Sequence, residues 1–309
     1  GLDNLDEFET KTNKKLMIDD FMMDNHNAEN KLSPKNQLTK KRTSPVIDLT
    51  GSDSHYFTDC QSPVDISTKE FIKVMVWNVN SLNTKLDKHN FVKYIQESDF
   101  DIICFNETKF SRKKFDQLKI KDHSLWRDGY YQYWNFSTKK LGYSGVSIIT
   151  RLKPISHEFT LKDGHFDDEG RAITLEFKDF YLICIYAPCS GLHLEKLPMR
   201  LKHWEEALKN QAIKLSEKKN VYILGDFNVA HNEIDVCNLK RAFNFPGFAL
   251  EERDSFGSLL KSGFVDSFRE MHPNKVEYTW WDARTYARTR NDGWRLDYCV
   301  SDVEGHKHI

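Results

Sequence analysis

A short polar turn after an apolar segment contains the residue types that phosphate chemistry would need. Residues 221–224 read Val-Tyr-Ile-Leu, and Gly225, Asp226 and Asn228 follow them. The apolar run predicts a buried strand, and side chains two positions apart on extended backbone lie on the same side. Gly225 would let another group approach the main chain, and an acid beside an amide can position a water or a metal ion next to a phosphate. The simpler alternative is a strand that ends in a polar turn with Asn228 in a left-handed conformation.

Two other predicted strands end in polar residues of the same kind. Residues 71–80 alternate, become apolar and end with Asn78 and Asn80, and the apolar run at 100–105 is followed by Glu107. Many strands with few helices between them favour a layered α+β sandwich over a doubly wound sheet. Further strands are predicted within 142–149, 170–177 and 180–188, and helices over 86–97 and 195–218.

Composition limits the classes of protein that the chain can belong to. A chain of 309 residues with 39% hydrophobic content can bury a large core in one domain. Its net charge of −1 means that nucleic-acid binding would depend on a local basic face. The six cysteines form no CxxC pair, which indicates reduced thiols in a reducing compartment. Because no apolar run reaches membrane-spanning length and no signal-peptide pattern is present, we predict no membrane association.

The N-terminal part of the chain differs from the rest in composition. Residues 1–69 are rich in Asn, Lys, Asp and Ser without a persistent period, so we predict a disordered tail followed by a folded domain over 70–309. The basic cluster at 40–42 predicts nuclear localisation, although such clusters are more often only solvated charge. Residues 46–50 resemble a SUMO-interacting motif, which adds a strand to a partner's sheet. Residues 15–22 loosely resemble a sliding-clamp-binding peptide without its usual Gln and second aromatic residue.

Seven short motifs occur along the chain in an order that is typical of one enzyme family. Each motif is weak alone, but the ordered set is specific, and it resembles the exonuclease III family of apurinic/apyrimidinic (AP) endonucleases. The resemblance covers residues 71 to about 300. It implies an α/β four-layer sandwich of two packed mixed β-sheets flanked by helices, the fold that includes DNase I. The motifs are Trp77-Asn78, Glu107-Thr108-Lys109, Gly142-Tyr143-Ser144-Gly145, Asp168-Glu169-Gly170-Arg171, Tyr186-Ala187-Pro188, Gly225 to His231, and Gly293 to Tyr298.

The resemblance implies a role for each polar residue at the predicted strand ends. Glu107 would be the metal carboxylate, Asp226 would activate or orient the attacking water, and Asn228 would hold water and phosphate in line. Asn78 would support the metal-binding cluster and contact DNA, and Tyr186 would donate to the scissile phosphate or lie against it. Glu107, Asn78, Asp226 and Asn228 would together bind Mg²⁺, with Mn²⁺ as an alternative, since hard cations prefer oxygen ligands. Taken singly, each residue also fits a capping, turn or surface role.

A pocket for the substrate sugar is implied by two tryptophans. Trp280 and Trp294 fall where the family lines a narrow apolar pocket for an extruded abasic deoxyribose, which admits the bare sugar and excludes an intact base. The alternative is a pair of core aromatics, and one of the adjacent Trp280 and Trp281 must point elsewhere because side chains alternate along a strand.

A group of basic residues surrounds this segment. Arg284 is the one we expect to contact DNA phosphates, although Asp282 and Asp292 reduce the local positive charge and a solvated loop is the alternative. The other arginines near the tryptophans in sequence, which we expect to assist it, are Arg288, Arg290 and Arg295.

The end of the sequence departs from the family pattern. Asp297 matches the acid that orients the family's catalytic histidine, but the Ser-Asp-His element that contains this histidine lies further along in the family. Only a few residues follow the Asp297 strand here, so neither His306 nor His308 can return to the same site. We therefore expect a domain that lacks its last strand or strands and has reduced stability and activity. Asn80 and Cys189 replace a family Asp and a family Asn.

These features predict a Mg²⁺-dependent abasic-site endonuclease of base excision repair. It would hydrolyse the phosphodiester 5′ of the lesion in double-stranded DNA and leave a 3′-hydroxyl, with 3′–5′ exonuclease or 3′-phosphodiesterase activity as an accompanying function. We predict a monomer, with SUMO or a sliding clamp as a partner of the tail. The alternatives are another nuclease of the same fold and a non-catalytic remnant that binds DNA or protein.

Overall fold

The computed structural model of the chain describes residues 15–18, 53–60, 62–162 and 164–309, with the backbone alone for 15–18. The basic cluster at 40–42 and the SUMO-type motif at 46–50 lie outside the described residues, as does the second half of the segment at 15–22. No helix in the described ranges combines the length and the apolar composition that a membrane crossing requires.

In the part of the chain that the structure describes, the main strands form two six-stranded sheets. The strands are β1 (Lys15–Ile18), β2 (His55–Thr58), β3 (Phe71–Asn78), β4 (Ile102–Asn106), β5 (Tyr131–Asn135), β6 (Val146–Thr150), β7 (Ser156–Glu158), β8 (Ala172–Glu176), β9 (Phe180–Tyr186), β10 (Asn220–Asp226), β11 (Phe264–Asp266), β12 (Trp280–Trp281), β13 (Gly293–Trp294) and β14 (Asp297–Asp302). The first sheet has the order β1-β3-β4-β6-β5-β2 and the second β11-β14-β10-β9-β8-β7, while β12 and β13 form a separate ribbon.

Helices cover the outer faces of both sheets. The predicted helix over 195–218 is confirmed, with a π-helical segment, Arg200–Glu205, joining its two α-helical parts. The α-helices are α1 (Leu82–Leu86), α2 (His89–Ser98), α3 (Arg112–Gln117), α4 (Leu197–Met199), α5 (Glu206–Ser216), α6 (Leu239–Ala242), α7 (Leu250–Lys261), α8 (Ser267–Met271) and α9 (Val303–His306).

Alternation of side chains along each central strand produces the layers. In β4, Ile102 and Cys104 belong to the apolar cluster between the sheets, whereas Ile103 and Phe105 belong to the cluster beneath α2. A third cluster packs β9 and β10 against α5 and α7. Three apolar layers between two sheets and two sets of helices confirm the predicted four-layer sandwich.

The ordered sheet begins earlier than the predicted boundary at residue 70. Strand β2 pairs antiparallel with β5, and Tyr56 is buried against Phe115, with ring centroids 5.1 Å apart. Strand β1 pairs parallel with β3 at the other edge of the same sheet. Strands β1 and β2 therefore precede the predicted start of the folded domain at residue 70. A four-residue edge strand is too short to show a hydrophobic period in the sequence. Its burial depends mainly on contacts with neighbouring strands and helices.

The carboxyl ends of the central strands meet at one end of the sandwich. Strands β3 and β4 run parallel in the first sheet, and β9 and β10 run parallel in the second. Strand β14 lies between β10 and β11, with Asp297 opposite Asp226 in the ladder. The polar residues that end β3, β9 and β10, and Glu107 directly after β4, are consequently brought to the same place.

Candidate active site

Five predicted site residues form one hydrogen-bonded cluster that joins the two sheets. The Tyr186 hydroxyl donates to Glu107 Oε1 at 2.6 Å. The Asn78 amide nitrogen donates to Glu107 Oε1 at 3.1 Å and to Asp226 Oδ2 at 2.9 Å. Asn228 joins through its backbone, whose N–H donates to Asp226 Oδ1 at 2.7 Å. The convergence that the sequence predicted for these residues is present.

The backbone at these strand ends adopts conformations that position the side chains. Glu107 and Asn228 have positive φ values of 53° and 49°, and Asn80, Lys109 and Ser144 next to them also have positive φ. Such values are uncommon for residues other than Gly and cost on the order of 1–3 kcal/mol each, so they persist where the surrounding structure enforces them. The left-handed Asn228 of the simpler alternative is observed, and it belongs to the site.

Gly225 and Asn106 fix the distance between β9, β10 and the first sheet. A Cβ at Gly225 would collide with the carbonyl oxygen of Ile185 on β9. Asn106, fully buried at the end of β4, donates to this same carbonyl at 2.8 Å and accepts from the Asp226 N–H at 3.2 Å. The Asn106 side chain of the first sheet therefore holds the backbone of both β9 and β10 in the second sheet.

A buried guanidinium supports Tyr186. Arg171, which is 2% exposed, lies over the Tyr186 ring at 4.9 Å and donates to the Tyr186 carbonyl oxygen at 3.0 Å. Its other nitrogens donate to the Tyr143 hydroxyl and to Glu169, both at 2.7 Å. The motifs around Tyr143, Glu169 and Tyr186 are thus joined through Arg171, which explains why these three motifs belong to one site.

A second buried arginine holds the turn that contains Asn228. Arg200 is fully buried and donates to the carbonyl oxygens of Phe227 at 2.8 Å and Asn228 at 3.0 Å. Its charge is balanced by Glu205 at 2.8 Å and Glu252 at 3.0 Å. Sequence reasoning missed Arg200 and Glu252, since a charged residue within an amphipathic helix has the same pattern as a solvated one.

The two carboxyl groups of the cluster have opposite electrostatic environments. Burial raises the pKa of Asp226 to about 6, against hydrogen bonds from Asn78 and Asn228 that favour the charged form, and the charge of Glu107 adds to the rise. Burial also opposes ionisation of Glu107, but hydrogen bonds from Lys109, Tyr186 and Asn78 outweigh it and lower its pKa. Glu107 is therefore the more readily ionised of the two carboxyl groups, and the pKa of Asp226 lies closer to neutral pH.

Tyr186 remains a hydrogen-bond donor. Burial, followed by the charges of Glu107 and Asp226, raises the pKa of its hydroxyl well above the usual value, although Arg171 acts in the opposite direction. A phenol that keeps its proton can donate to an anionic oxygen next to Glu107.

Lys109 occupies the side of Glu107 opposite Tyr186. Its ammonium lies 2.8 Å from Glu107 Oε2 and donates to Asn80 Oδ1 at 2.5 Å. The Lys109 ammonium therefore lies directly against Glu107, the carboxylate proposed to bind the metal. Asn80, which stands where the family has an Asp, contacts the same ammonium.

The oxygen donors of the cluster fit a hard divalent cation. Across the described ranges, His, Cys, Asp and Glu side chains nowhere gather in a group of three or more that could bind a metal ion. The cluster instead offers two carboxylates and the amide oxygens of Asn78 and Asn228. Few protein oxygens, with water completing the coordination shell, are typical of Mg²⁺, whereas a structural zinc site would require His or Cys ligands.

The two predicted pocket tryptophans lie together beside this cluster. Trp280 and Trp294 pair across the β12–β13 ribbon, with ring centroids 6.3 Å apart in an edge-on arrangement. A Cβ at Gly247 would lie 3.4 Å from the Trp294 ring and 3.5 Å from the Asn228 carbonyl oxygen, so Trp294 is close to the turn that contains Asn228. Trp281 faces the other way and donates to Asn291 at 3.1 Å, as alternation along a strand requires.

The arginines near these tryptophans divide into two groups. Arg284 is exposed and bonds Asp282 through Nε at 3.0 Å, so it lies on the surface where the sequence predicted a phosphate contact. Arg295 is 2% exposed, and Asp235 and Asp266 bind it through both ends of its guanidinium. The suggestion that Arg295 grips DNA is wrong, because its side chain faces the interior and its charge is already neutralised by two buried carboxylates.

Asp297 enters the site through the ladder. It lies opposite Asp226, its side chain is half-buried, and its N–H donates to Thr279 Oγ1 at 3.1 Å. The acid that the family pattern assigns is therefore adjacent to the acid that we expect to act on water.

The six cysteines are free thiols, and three of them, Cys104, Cys184 and Cys299, are buried.

The four-layer sandwich with this polar cluster at one end belongs to the DNase I-like class of fold. A model of the Endonuclease/Exonuclease/phosphatase family matches residues 75–306. The exodeoxyribonuclease of Bacillus subtilis is 41% identical over 230 residues, which are 74% of this chain and 87% of that protein. The DNA repair nuclease APEX1 of Danio rerio is 37% identical over 232 residues, 74% of this chain and 72% of that protein.

The solved structures agree. An AP endonuclease from Archaeoglobus fulgidus superimposes with a TM-score of 0.66 at 29% identity and covers 76% of this chain and 88% of that one. This chain belongs to the Endonuclease/Exonuclease/phosphatase family, and its relatives there are exodeoxyribonucleases and AP endonucleases of the exonuclease III type. The resemblance predicted from the seven motifs is confirmed.

Proposed function

We propose that the protein is an AP endonuclease that hydrolyses the phosphodiester 5′ of an abasic site in double-stranded DNA, leaves a 3′-hydroxyl and acts in base excision repair. The observation that supports this most directly is the single cluster of Glu107, Asp226, Asn78 and Tyr186 at the strand ends, with hydrogen bonds of 2.6–3.1 Å between them. Its relatives of the exonuclease III type, which align over three quarters of the chain, support the same activity.

Each residue of the cluster has a defined task in hydrolysis. Asp226 accepts a proton from the attacking water, for which a pKa of about 6 is suitable because the group is ionised at neutral pH yet basic enough to bind a proton. Asn78 holds the two carboxylates in a fixed relation through its amide nitrogen. Tyr186 donates its hydroxyl proton toward a phosphate oxygen, with Arg171 fixing the plane of its ring.

Mg²⁺, when bound by Glu107 with the amide oxygens of Asn78 and Asn228, would neutralise the charge that develops on the phosphate and leave Asp226 available to accept the proton. The Lys109 ammonium contacts Glu107 in the structure. Cation binding at this carboxylate therefore requires Lys109 to give up or share its contact, and Asn80, which accepts from the same ammonium, is placed to retain it.

Selection of an abasic nucleotide is attributed to the tryptophan pair. Trp294 is half-buried beside the Asn228 turn, and Phe248 closes its far side with ring centroids 6.2 Å apart. Apolar rings beside the site would pack against a deoxyribose without a base, whereas an intact base would have to displace them.

The test uses two tyrosines of the same strand. Wild type, Tyr186→Phe and the control Tyr181→Phe, at the far end of β9, are assayed in Mg²⁺ on a duplex with one abasic-site analogue, on the intact duplex and on a 3′-recessed duplex. We expect cleavage at the abasic site only, with ends that a polymerase extends. We also expect Y186F to be slower by about 10²-fold or more and Y181F to be unchanged. Degradation of the recessed end without cleavage at the lesion would identify a 3′–5′ exonuclease instead.

Three further properties extend this proposal from the sequence. We propose that the protein is nuclear, on the basic cluster at 40–42, and that the segments at 46–50 and 15–22 contact SUMO and a sliding clamp. We also propose that it acts as a monomer. Nuclear import of a fusion to residues 1–69, compared with the same fusion with Lys40, Lys41 and Arg42 changed to Ala, tests the first of these.

A further inference from the structure

Two loops beside the tryptophan pair expose several aromatic rings. Phe243 follows α6 and is 74% exposed, and Tyr286 in the loop after β12 is 75% exposed. Phe245 at 47% and Trp280 at 40% are exposed close to them. We call these four residues the aromatic rim. Single exposed apolar residues need no explanation, but a group of rings next to a binding site indicates a contact surface.

Direct contacts make the two loops one surface. Arg241 of the first loop lies 3.3 Å from Asp292 of the second, measured from Nη1 to Oδ2. Phe245 meets the Trp294 ring edge-on at 6.1 Å between centroids, and Trp280 meets the same ring from its own side at 6.3 Å. Because Trp294 also borders the Asn228 turn, the aromatic rim is continuous with the catalytic cluster.

The charge around the aromatic rim is positive. Four arginines, Arg241, Arg284, Arg288 and Arg290, face two acids, Asp282 and Asp292. The side chains of Arg284 and Arg241 are 88% and 75% exposed, whereas those of both acids are about one quarter exposed. Lys85 of α1 lies near Arg288: burial and then the charges of Lys88 and Arg288 lower its pKa.

Exposed rings among exposed guanidinium groups have the chemistry that single-stranded nucleic acid requires. The arginines attract the phosphates, and each ring offers a face on which an unpaired base can stack. A paired base in a duplex cannot stack in this way, because both its faces are covered by its neighbours. A peptide would be the other occupant, but continuity with a phosphodiester site favours DNA.

We propose that Phe243 and Tyr286 stack on unpaired DNA bases beside the scissile phosphate, so that the protein accepts abasic sites in single-stranded or locally melted DNA. This inference rests on the proposed function and adds the state of the DNA around the lesion. Short 3₁₀ turns on both sides of Tyr286, Ala283–Thr285 and Ala287–Arg290, hold its backbone while its ring is exposed. The backbone that bears the ring therefore loses little freedom when a base stacks on it.

The first experiment compares one abasic site in a single strand with the same site in a duplex. The variants are Phe243→Ala, Tyr286→Ala and the double variant, with F243Y and Y286F as versions that keep the ring. Ile155→Ala, exposed to 63% near the opposite edge of the second sheet, is the control for loss of an exposed apolar group. Each alanine should lower cleavage efficiency on the single strand about fivefold or more and on the duplex less than twofold, since base stacking on an aromatic ring is a substantial contribution. Equal losses on both substrates overturn the inference.

The second experiment separates this inference from the proposed function. Binding of an oligothymidylate without an abasic site is measured by fluorescence anisotropy in EDTA, where no cleavage occurs. A weaker complex with the double variant, restored by F243Y and Y286F, supports stacking even if the chain cleaves no DNA. Unchanged binding by the double variant overturns the inference, even if the wild type proves to be an efficient AP endonuclease.

Discussion

The two carboxylates of the cluster should respond in opposite directions to removal of their charge. Replacing Asp226 with Asn removes a buried charge whose pKa the fold raises from 3.8 to about 6. At about 1.4 kcal/mol per pH unit, this rise corresponds to about 3 kcal/mol of destabilisation in the wild type at neutral pH. In D226N, the side-chain NH₂ group would replace a carboxylate oxygen that accepts a hydrogen bond from Asn78 or from the Asn228 N–H. Two donors would then face each other, and the lost hydrogen bond would cost about 1 kcal/mol. We therefore expect D226N to be more stable by about 1–2 kcal/mol.

Glu107 supplies the matched control. Its pKa is lowered because hydrogen bonds from Lys109, Tyr186 and Asn78 outweigh its burial, so its charge stabilises the fold. Replacing Glu107 with Gln removes the ion pair with Lys109, which spans 2.8 Å, and should make the protein less stable. Both variants should lose cleavage activity. Loss of activity in both would show that each residue belongs to the site, so a difference in stability between the variants would reflect their different electrostatic environments.

The pH dependence follows from the direction of the Asp226 shift. Between pH 6 and 3.8, Asp226 binds a proton in the folded wild type but not in the unfolded chain. The free energy of unfolding of the wild type therefore increases relative to that of D226N as the pH falls. The advantage of D226N should be largest above pH 6 and should disappear below about 3.8.

Urea unfolding in EDTA at pH 7.5, 6, 5 and 4 measures this difference without a contribution from metal binding. The reasoning is refuted if D226N and E107Q are destabilised alike at pH 7.5, or if the advantage of D226N does not depend on pH. In the first case, the hydrogen bonds of Asp226 would outweigh its desolvation.

Three other perturbations test separate parts of the structure. Arg295→Met should destabilise the protein by about 3 kcal/mol in urea, since it leaves Asp266 buried without the guanidinium that pairs with it, whereas Asp235 keeps its contact with Arg269; a loss below about 1 kcal/mol would contradict this. Asn80→Asp places a carboxylate beside Lys109 and should lower the Mg²⁺ concentration for half-maximal cleavage by about two- to fivefold, because it competes with Glu107 for the ammonium; an increase would contradict this. Gly225→Ala should prevent stable folding or remove cleavage, as its Cβ collides with the Ile185 carbonyl oxygen, whereas Gly142→Ala, which has open space around it, should cost only about 1 kcal/mol for its φ of 69° and retain the fold; equal circular-dichroism melts for wild type and G225A would refute the packing argument.

The parts of the fold that the sequence predicted are those in which a side chain's type and its burial agree. Apolar runs such as 180–186 and 220–226 form the central strands, and the polar residues that end them lie at the predicted place. The short edge strand His55–Thr58 was missed because it has too few residues for a period. Order there comes from pairing with β5 and from the packing of Tyr56 on Phe115, which are contacts distant in sequence.

The supports of the site could not be predicted for a different reason. Arg171, Arg200 and Arg295 are each at most 2% exposed, yet a pattern of hydropathy assigns arginine to the surface. The misassignment of Arg295 to a DNA contact has this origin, and so does the omission of Arg200. Arg200 pairs with Glu252, and Arg295 pairs with Asp235 and Asp266, which are all distant in sequence. The positions of these carboxylates become known only when the chain is folded. Arg171 pairs with Glu169, two residues away, but the burial of this pair is likewise a result of folding.

This division between predictable and unpredictable residues has a consequence for how the site works. Glu107, Asp226 and Tyr186 can be named from their types, but each type is useful only at a particular pKa and orientation. Arg171 fixes the Tyr186 ring, Arg200 fixes the turn after Asp226, and burial raises the pKa of Asp226 to about 6. Arg171 and Arg200 are buried, so substitutions there should reduce the rate of cleavage without removing a contact with DNA. The reacting side chains would still be present, but they would no longer be held in the required orientation.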